Sequence, residues 1–306
     1  MNNKWVSYSP HILSKASTTK IYITMLVLLC PILACAVIMF GFKPLALIVV
    51  SMLSCYVTDI VFKYAVNKRY DFADVSALFI GFIIGIAMPT GASWYVPILG
   101  SCFSIVFIRN IAGGIGKNFV SEIAVAVLIS SLVFEADYNL FMTTTGEVVS
   151  NSALDSVIAG EIQDINIKSL LFGGLAGSIA DASLVWLIVA GVLMIVFKLI
   201  DFKIPLTTIA SVFLFAIIFF DVTTAVNLTL TGGVVLGAFF MASDYAVVPK
   251  NELLKYVYAV AIGLVTVLIW KFGNYSMAIY YAIIIMGLIC SALSGIIKTF
   301  KVSKVR

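Results

Sequence analysis

The stretch "IYITMLVLLCPILACAVIMF", Ile21–Phe40, runs without a single charged residue. An α-helix rises about 1.5 Å per residue, so a run of this length reaches across the roughly 30 Å hydrocarbon core of a bilayer. The chain around it has 306 residues, of which 62% are hydrophobic and 11% charged, with a mean hydropathy of +1.13. A soluble domain is nearer half apolar and a quarter charged. The reading is an all-α polytopic membrane protein, because a helix satisfies its own backbone groups where no water is present. The first 20 residues hold Lys4, Lys15 and Lys20 but no apolar core, so no signal peptide is expected before Ile21.

Working outward from that stretch, the hydropathy predicts about ten transmembrane helices, near 21–41, 44–64, 75–88, 95–110, 119–134, 183–200, 205–220, 229–243, 254–272 and 275–297. Several are short for a bilayer, which predicts helices that break or stop partway. Basic residues orient the set. Lys15 and Lys20 precede the first span, and Lys63, Lys68 and Arg69 follow the second. Arg109 and Lys117 follow the fourth, Lys198 and Lys203 the sixth, and Lys250 and Lys255 the eighth; Lys298, Lys301, Lys304 and Arg306 come last. With ten spans all of these fall on the cytoplasmic side, and both termini with them. Between Asn118 and Ile167 there is no Lys or Arg, only acids such as Glu135, Asp137, Glu147, Asp155, Glu161 and Asp164, so this stretch is expected outside. Lys43 and Lys271 are isolated exceptions at short external turns.

Two segments echo each other half a chain apart. "DVSALFIGFIIGIAMP" (Asp74–Pro89) and "LTGGVVLGAFFMASDYAVVP" (Leu230–Pro249) share small and apolar residues, a central glycine (Gly81, Gly237) and a closing Pro. Five spans on each side of the acidic stretch invert the second half against the first, the layout of transporters with interrupted helices. The expected organisation is residues 1–134 as an N-terminal five-helix repeat, 135–182 as an extracytoplasmic acidic loop with a re-entry segment, and 183–306 as a C-terminal five-helix repeat. The two echoing elements are expected to approach each other and border a cofactor or ion path.

The rest of the chemistry is sparse. Cys30, Cys35, Cys55, Cys102 and Cys290 lie in apolar runs without ligand spacing, and His11 is alone, so no metal site, catalytic residue or nucleic-acid partner is expected. No P-loop or dinucleotide fingerprint is present, which assigns nicotinamide binding elsewhere. Ionisable residues at membrane depth are costly and mark function; Asp59, Asp74, Glu122, Asp181, Asp221 and Asp244 are the ones to examine. Asp74, Gly81, Gly237 and Asp244 are the ion-path candidates. Asp74, Asp181 and Asp244 also suit helix caps at an interface. The glycines Gly113, Gly114, Gly116, Gly173, Gly174 and Gly177 fit helix packing or backbone contact with a ligand.

Ordered motifs then carry a resemblance. "SPH" (Ser9–His11), "FADVSALFIGFIIGIAMP", "NIAGGIGKN" (Asn110–Asn118), "GSIADAS" (Gly177–Ser183) and "GGVVLGAFFMASDYAVVP" (Gly232–Pro249) resemble the D subunit of the Rnf complex, an ion-translocating ferredoxin:NAD oxidoreductase. They are similar also to the B subunit of the sodium-translocating NADH:quinone oxidoreductase. The resemblance runs nearly end to end. It implies a membrane subunit in a prokaryotic plasma membrane, not a catalyst on its own, that relays electrons through FMN while its complex moves Na⁺ or H⁺. It implies an FMN joined through its phosphate to a hydroxyl in the polar loop, attached by a flavin transferase, and leaves room for a second, non-covalent flavin. The implied partners are the A and E membrane subunits, the flavin-carrying G subunit and the B and C cytoplasmic subunits. Where the family reads approximately "ATPLAALKAG", this chain reads "NSALDSVIAG" (Asn151–Gly160), which aligns Ser152 with the acceptor Thr. Ser150 is the runner-up, and Thr143–Thr145 are off register. Gly177, Ser178, Asp181 and Ser183 are the remaining cofactor-binding candidates, with a helix N-terminus there expected to offer N–H donors to the phosphate. The chain departs from the family in having Ser for Thr, Ala180–Ser183 for "GETS", and Val120, Ser121 and Glu122 where the family often has "NPA". A flavin-free structural paralogue therefore stays open, as does a solute channel of urea- or ammonium-channel layout.

Overall fold

The computed structural model describes residues 18–67, 74–114, 116–143, 145–159, 167–173, 176–273 and 277–303. The motif at Ser9–His11, the cluster at Lys68 and Arg69, and Gly160, Glu161, Asp164 and Gly174 lie outside the described residues. The described chain is helical apart from one two-stranded antiparallel hairpin.

Helix α1 (Thr18–Phe40) and helix α2 (Lys43–Asn67) are joined at Gly41, whose φ of +75° supplies the left-handed turn that few side chains tolerate. Helix α3 (Ser76–Ala87) is apolar on every side and buried on every side except at Leu78. It sits against α2 at backbone contact: a Cβ on Gly81 would come within 2.6 Å of Met52 Cα, and one on Gly85 within 2.7 Å of Ile48 Cα. Helix α4 (Val96–Phe103) runs on as a π-helical turn, Ser104–Asn110, and packs on α5 (Glu122–Val133). The connecting region holds α6 (Glu135–Tyr138), strands β1 (Phe141–Met142) and β2 (Val148–Val149), α7 (Ala153–Ile158) and α8 (Ile167–Phe172). Phe141 pairs with Val149 and Met142 with Val148.

The second half opens with a 3₁₀ turn, Ile179–Ser183, running into α9 (Leu184–Val196). Helix α10 (Lys203–Phe219) follows. Next come α11 (Val222–Thr229) and α12 (Gly232–Leu236), which continues into a π-helical turn, Gly237–Met241. Helices α13 (Glu252–Gly273) and α14 (Ala278–Ser303) end the chain. Neighbour relations recur between the halves: α4 packs on α5 as α13 packs on α14, and α3 touches α1 as α12 touches α9. The halves meet where α1 packs on α9 and α14 on α5.

Each of the ten expected spans coincides with an apolar helical segment, but their lengths differ. Four are long and apolar enough to cross a membrane: Thr18–Phe40, Lys43–Val66, Ile179–Val196 and Glu252–Gly273. A fifth forms if Val222–Thr229 and Gly233–Met241, bent by 55°, act as one broken span. Four others, α3, α4 with its π-helical turn, α5 and α10, have 12–17 residues, so length alone does not make ten crossings; α14 runs for 26 residues. Large apolar side chains point outward along the long helices, among them Val27, Ile38, Val57, Val61 and Leu253. In water such a surface would aggregate; here it is the face for lipid.

Candidate functional site

The acidic loop is anchored rather than loose. Thr90 ties three segments together just past α3: its N–H donates to Gly177 O (3.2 Å), and its Oγ accepts the Met142 N–H (2.8 Å). The Ile179 N–H donates to Met88 O (2.9 Å), and the Gly91 N–H to Leu140 O (3.0 Å). Lys43, one of the two cations out of pattern, donates from Nζ to Gly91 O (2.6 Å) and so holds the same corner.

On this frame Ser152 caps α7. Its hydroxyl donates to Asp155 Oδ2 (2.6 Å) and accepts the Asp155 N–H (3.1 Å), while its own N–H donates to the same carboxylate (2.9 Å). Ser152 is 6% exposed, so the acceptor expected in an open loop is a buried cap instead. Ser178 repeats the arrangement: its N–H and hydroxyl both donate to Asp181 Oδ2, at 2.8 and 2.6 Å. Gly177 makes room for this second box, because a Cβ there would lie 2.6 Å from Asp181 Oδ2. The Ala153 N–H donates to Ala176 O (2.8 Å) and brings the two boxes side by side.

Ser152, Gly177, Ser178 and Asp181 line one cavity of about 70 Å³, closed by Tyr138 and Tyr280. Ser183 is buried (3% exposed) and does not line it. A second cavity of about 410 Å³ adjoins it, sharing Tyr138 and Met277, and opens beside Ser150, Asn151 and Asp155. Ligand sites usually fall between about 300 and 1,000 Å³, so only the second has room for a flavin ring. The cap positions expected to offer free N–H groups are already satisfied by Asp155 and Asp181.

The ion-path candidates separate. Asp74 pairs with Lys63 (2.8 Å) and with Arg109 (3.1 Å), and it accepts from the Ser76 N–H (3.1 Å). Lys63 also pairs with Asp59 (2.6 Å), whose other oxygen accepts from Asn110 (3.2 Å). Burial works to raise the Asp74 carboxyl, but hydrogen bonds from Lys63 and Ser76 and the charge of Arg109 outweigh it and hold it below the usual range. Gly81 and Gly237 each face a helix of their own half. Gly81 is closed by α2, and Gly237 by Ile279 and Ile283 of α14, so each serves packing within its own half. Their neighbours do meet: Phe79 and Ile80 from one element and Phe239, Phe240 and Asp244 from the other line a common cavity of about 210 Å³.

A chain with these features has relatives. The sequence matches the NQR2, RnfD, RnfE family over residues 5–302. The chain belongs to this family. It is 32% identical over 289 residues to the D subunit of the Na⁺-translocating ferredoxin:NAD⁺ oxidoreductase complex of Acetobacterium woodii, covering 93% of this chain and 90% of that one. It is 26% identical to the D subunit of the proton-translocating ferredoxin:NAD⁺ oxidoreductase complex of Clostridium ljungdahlii, over 92% and 90% of the two chains. It is 27% identical to the D subunit of an ion-translocating oxidoreductase complex of Methanosarcina acetivorans, over 93% and 92%.

For this family member the sequence reading missed Tyr138, Tyr280, Asn227 and Thr231 at the smaller cavity. They come from α6, α14, α11 and the turn after it, segments far apart in the chain, and each reads singly as an ordinary aromatic or small polar residue. The Ser-x-x-Asp spacing of both capping boxes was visible and would have placed Ser152 and Ser178 at helix starts.

Proposed function

We propose that this NQR2, RnfD, RnfE family protein is a subunit of a membrane-bound, ion-translocating electron-transport complex and carries FMN on Ser152. The observation that supports it is the gathering of Ser152, Gly177, Ser178 and Asp181 on one cavity beside a larger one. Ser152 would hold the phosphate as an ester of its hydroxyl, and the chamber between Tyr138 and Tyr281 offers the space for a ring. FMN bound there would supply electron transfer in one- and two-electron steps. The chain's own part is to hold the group against the ends of α3 and α7 and to keep water from it. Forming the ester would remove the proton that Ser152 Oγ donates, and Asp155 Oδ2, which accepts that hydrogen bond, is placed to take it up. The protein would work in a prokaryotic plasma membrane with other subunits of an Rnf-type complex.

The test is in-gel fluorescence of the denatured protein after co-expression with a flavin transferase, with mass spectrometry of the Val149–Gly160 peptide. A fluorescent band and a flavin-bearing peptide are expected, lost in Ser152→Ala and kept in Ser152→Thr. Ser152→Ala also removes a cap, at about 1 kcal/mol, which leaves the fold in place. A peptide found only unmodified overturns the attachment. The occupied cap favours a second reading in that case, a structural subunit without flavin.

A further inference from the structure

We infer that the cavity between the halves is a seat for a small monovalent cation, held by Glu122 and Asp244. This rests on the ion-coupling part of the proposed function, and it concerns a place in the molecule remote in sequence from the flavin loop. The cavity, about 210 Å³, takes walls from α1 (Tyr22, Met25), from α3, from the start of α5 and from the π-helical turn before Asp244. Its two carboxylates come from opposite halves: Glu122 begins α5, and Asp244 follows the π turn. Glu122 stands where the resemblance leads one to expect no acid at all.

Three observations point to a cation. First, Glu122 is 8% exposed and its Oε2 has no hydrogen-bond partner, and the neighbouring Ser121 Oγ and Asn118 Oδ1 are likewise buried and unpartnered. Buried polar atoms are nearly always satisfied, so an unpartnered carboxylate oxygen on Glu122, which lines the cavity, calls for a ligand; Asn118 and Ser121 stand behind it and do not line the cavity. Second, the charges do not cancel. The ionisable groups in electrostatic reach of Tyr22 or Glu122 are Asp59, Asp74, Asp244 and Arg109. Lys63 joins this set through its pairs with Asp59 and Asp74, and Arg109 is committed to Asp74 and Ser76. Among the described residues four carboxylates thus face two cations, and Glu122 and Asp244 have no salt bridge. Away from water such a carboxylate pair takes up protons unless a cation is present, and a bound cation would displace them. Third, the polar side chains lining the cavity end in oxygens: the Glu122 and Asp244 carboxylates and hydroxyls such as those of Ser243 and Tyr22. Oxygen-only sets select hard cations over transition metals. Both halves contribute, so occupancy would draw α5 and the Asp244 segment together, and the π turns on either side (Ser104 donates to Glu122 O) are the deformable parts that could follow.

The experiment uses the full-length chain in native membranes, with dicyclohexylcarbodiimide as the probe of carboxyls in apolar surroundings and NaCl against choline chloride and KCl at constant ionic strength. Glu122 labelling, located by mass spectrometry, is expected to fall several-fold as NaCl replaces choline chloride. Asp244→Asn should keep the labelling and lose the Na⁺ protection. Should that variant fail to fold, the wild-type comparison alone decides. Labelling that ignores Na⁺, that falls equally with all three salts, or that follows pH alone overturns the cation seat. The readout needs no flavin. A Na⁺-sensitive Glu122 in a protein without FMN therefore counts against the flavin reading only, and a flavin-bearing protein with a Na⁺-blind Glu122 counts against the seat only.

Discussion

Asp74 shows what a single residue does here and how little of it a sequence can display. Read alone, it is an acid at the edge of an apolar run, equally suited to an ion path or a cap. Its partners Lys63 and Arg109 stand 11 and 35 positions away, and no spacing rule connects them. In the fold it neutralises Arg109, a side chain 1% exposed whose Nη1 has no partner. Asp74→Asn should therefore destabilise the protein by about 3 kcal/mol, the cost of leaving a buried cation short of its counter-charge. A pH signature follows from the sign of the shift. The folded carboxyl is held below its ordinary value, so its contribution is complete above the unfolded value, near 3.9, and fades as pH falls through that value toward the folded one. Thermal unfolding in detergent at neutral pH should show a lowered midpoint for Asp74→Asn. The gap between wild type and variant should narrow on acidification. An unchanged midpoint at neutral pH would mean that Ser76 alone satisfies Arg109.

Among the elements, α3 was the easiest to find and the hardest to interpret. Its apolar run and its boundaries are readable from residues, because a helix hydrophobic all round must be buried. The role of Gly81 was not readable, since a glycine that lets another helix in looks the same as one that lines a path. In the structure Met52 Cα and Ser51 O occupy the space a side chain would need. Gly81→Ala should thus force α2 and α3 apart and cost about 1–3 kcal/mol, as overpacked cores do. Gly233→Ala is the matched control, since its nearest neighbour, the Tyr280 hydroxyl, is at an ordinary 3.5 Å. Equal melting temperatures for the two variants would remove the close-packing account. The flavin loop divides in the same way. The candidates Ser152, Gly177, Ser178 and Asp181 were chosen by resemblance and do share a cavity. The capping of Ser152 by Asp155 was legible only as a spacing, and the larger chamber beside it is a product of tertiary packing.

For the whole molecule, hydropathy and charge determine more than helix length does. Four of the apolar helices are too short to be counted as crossings by length, yet most basic residues still sort into one set of turns, and the charged residues of the stretch between Asn118 and Ile167 are all acids. An excess of Lys and Arg in short loops fixes which side stays inside. The turn between strands β1 and β2, at Glu147, lies in the stretch without Lys or Arg, and it is exposed. Lys250, before α13, lies in a basic turn and is exposed as well. The ion pairs of Lys203 with Glu252 and of Lys255 with Asp201 (2.8 Å) and Glu252 (2.9 Å) clamp that turn to the start of α10, so the position is well defined. Two single-cysteine variants, Glu147→Cys and Lys250→Cys, therefore report the two sides. A membrane-impermeant maleimide should label Glu147→Cys in intact cells, and Lys250→Cys only after permeabilisation. Both substitutions avoid the capping boxes, so neither should disturb the flavin loop. An inverted pair of five-helix units, the layout expected from the sequence, requires these two turns on opposite faces. Labelling of both residues in intact cells, or of neither, would break the inverted layout and leave the short helices as segments that enter the membrane without crossing it.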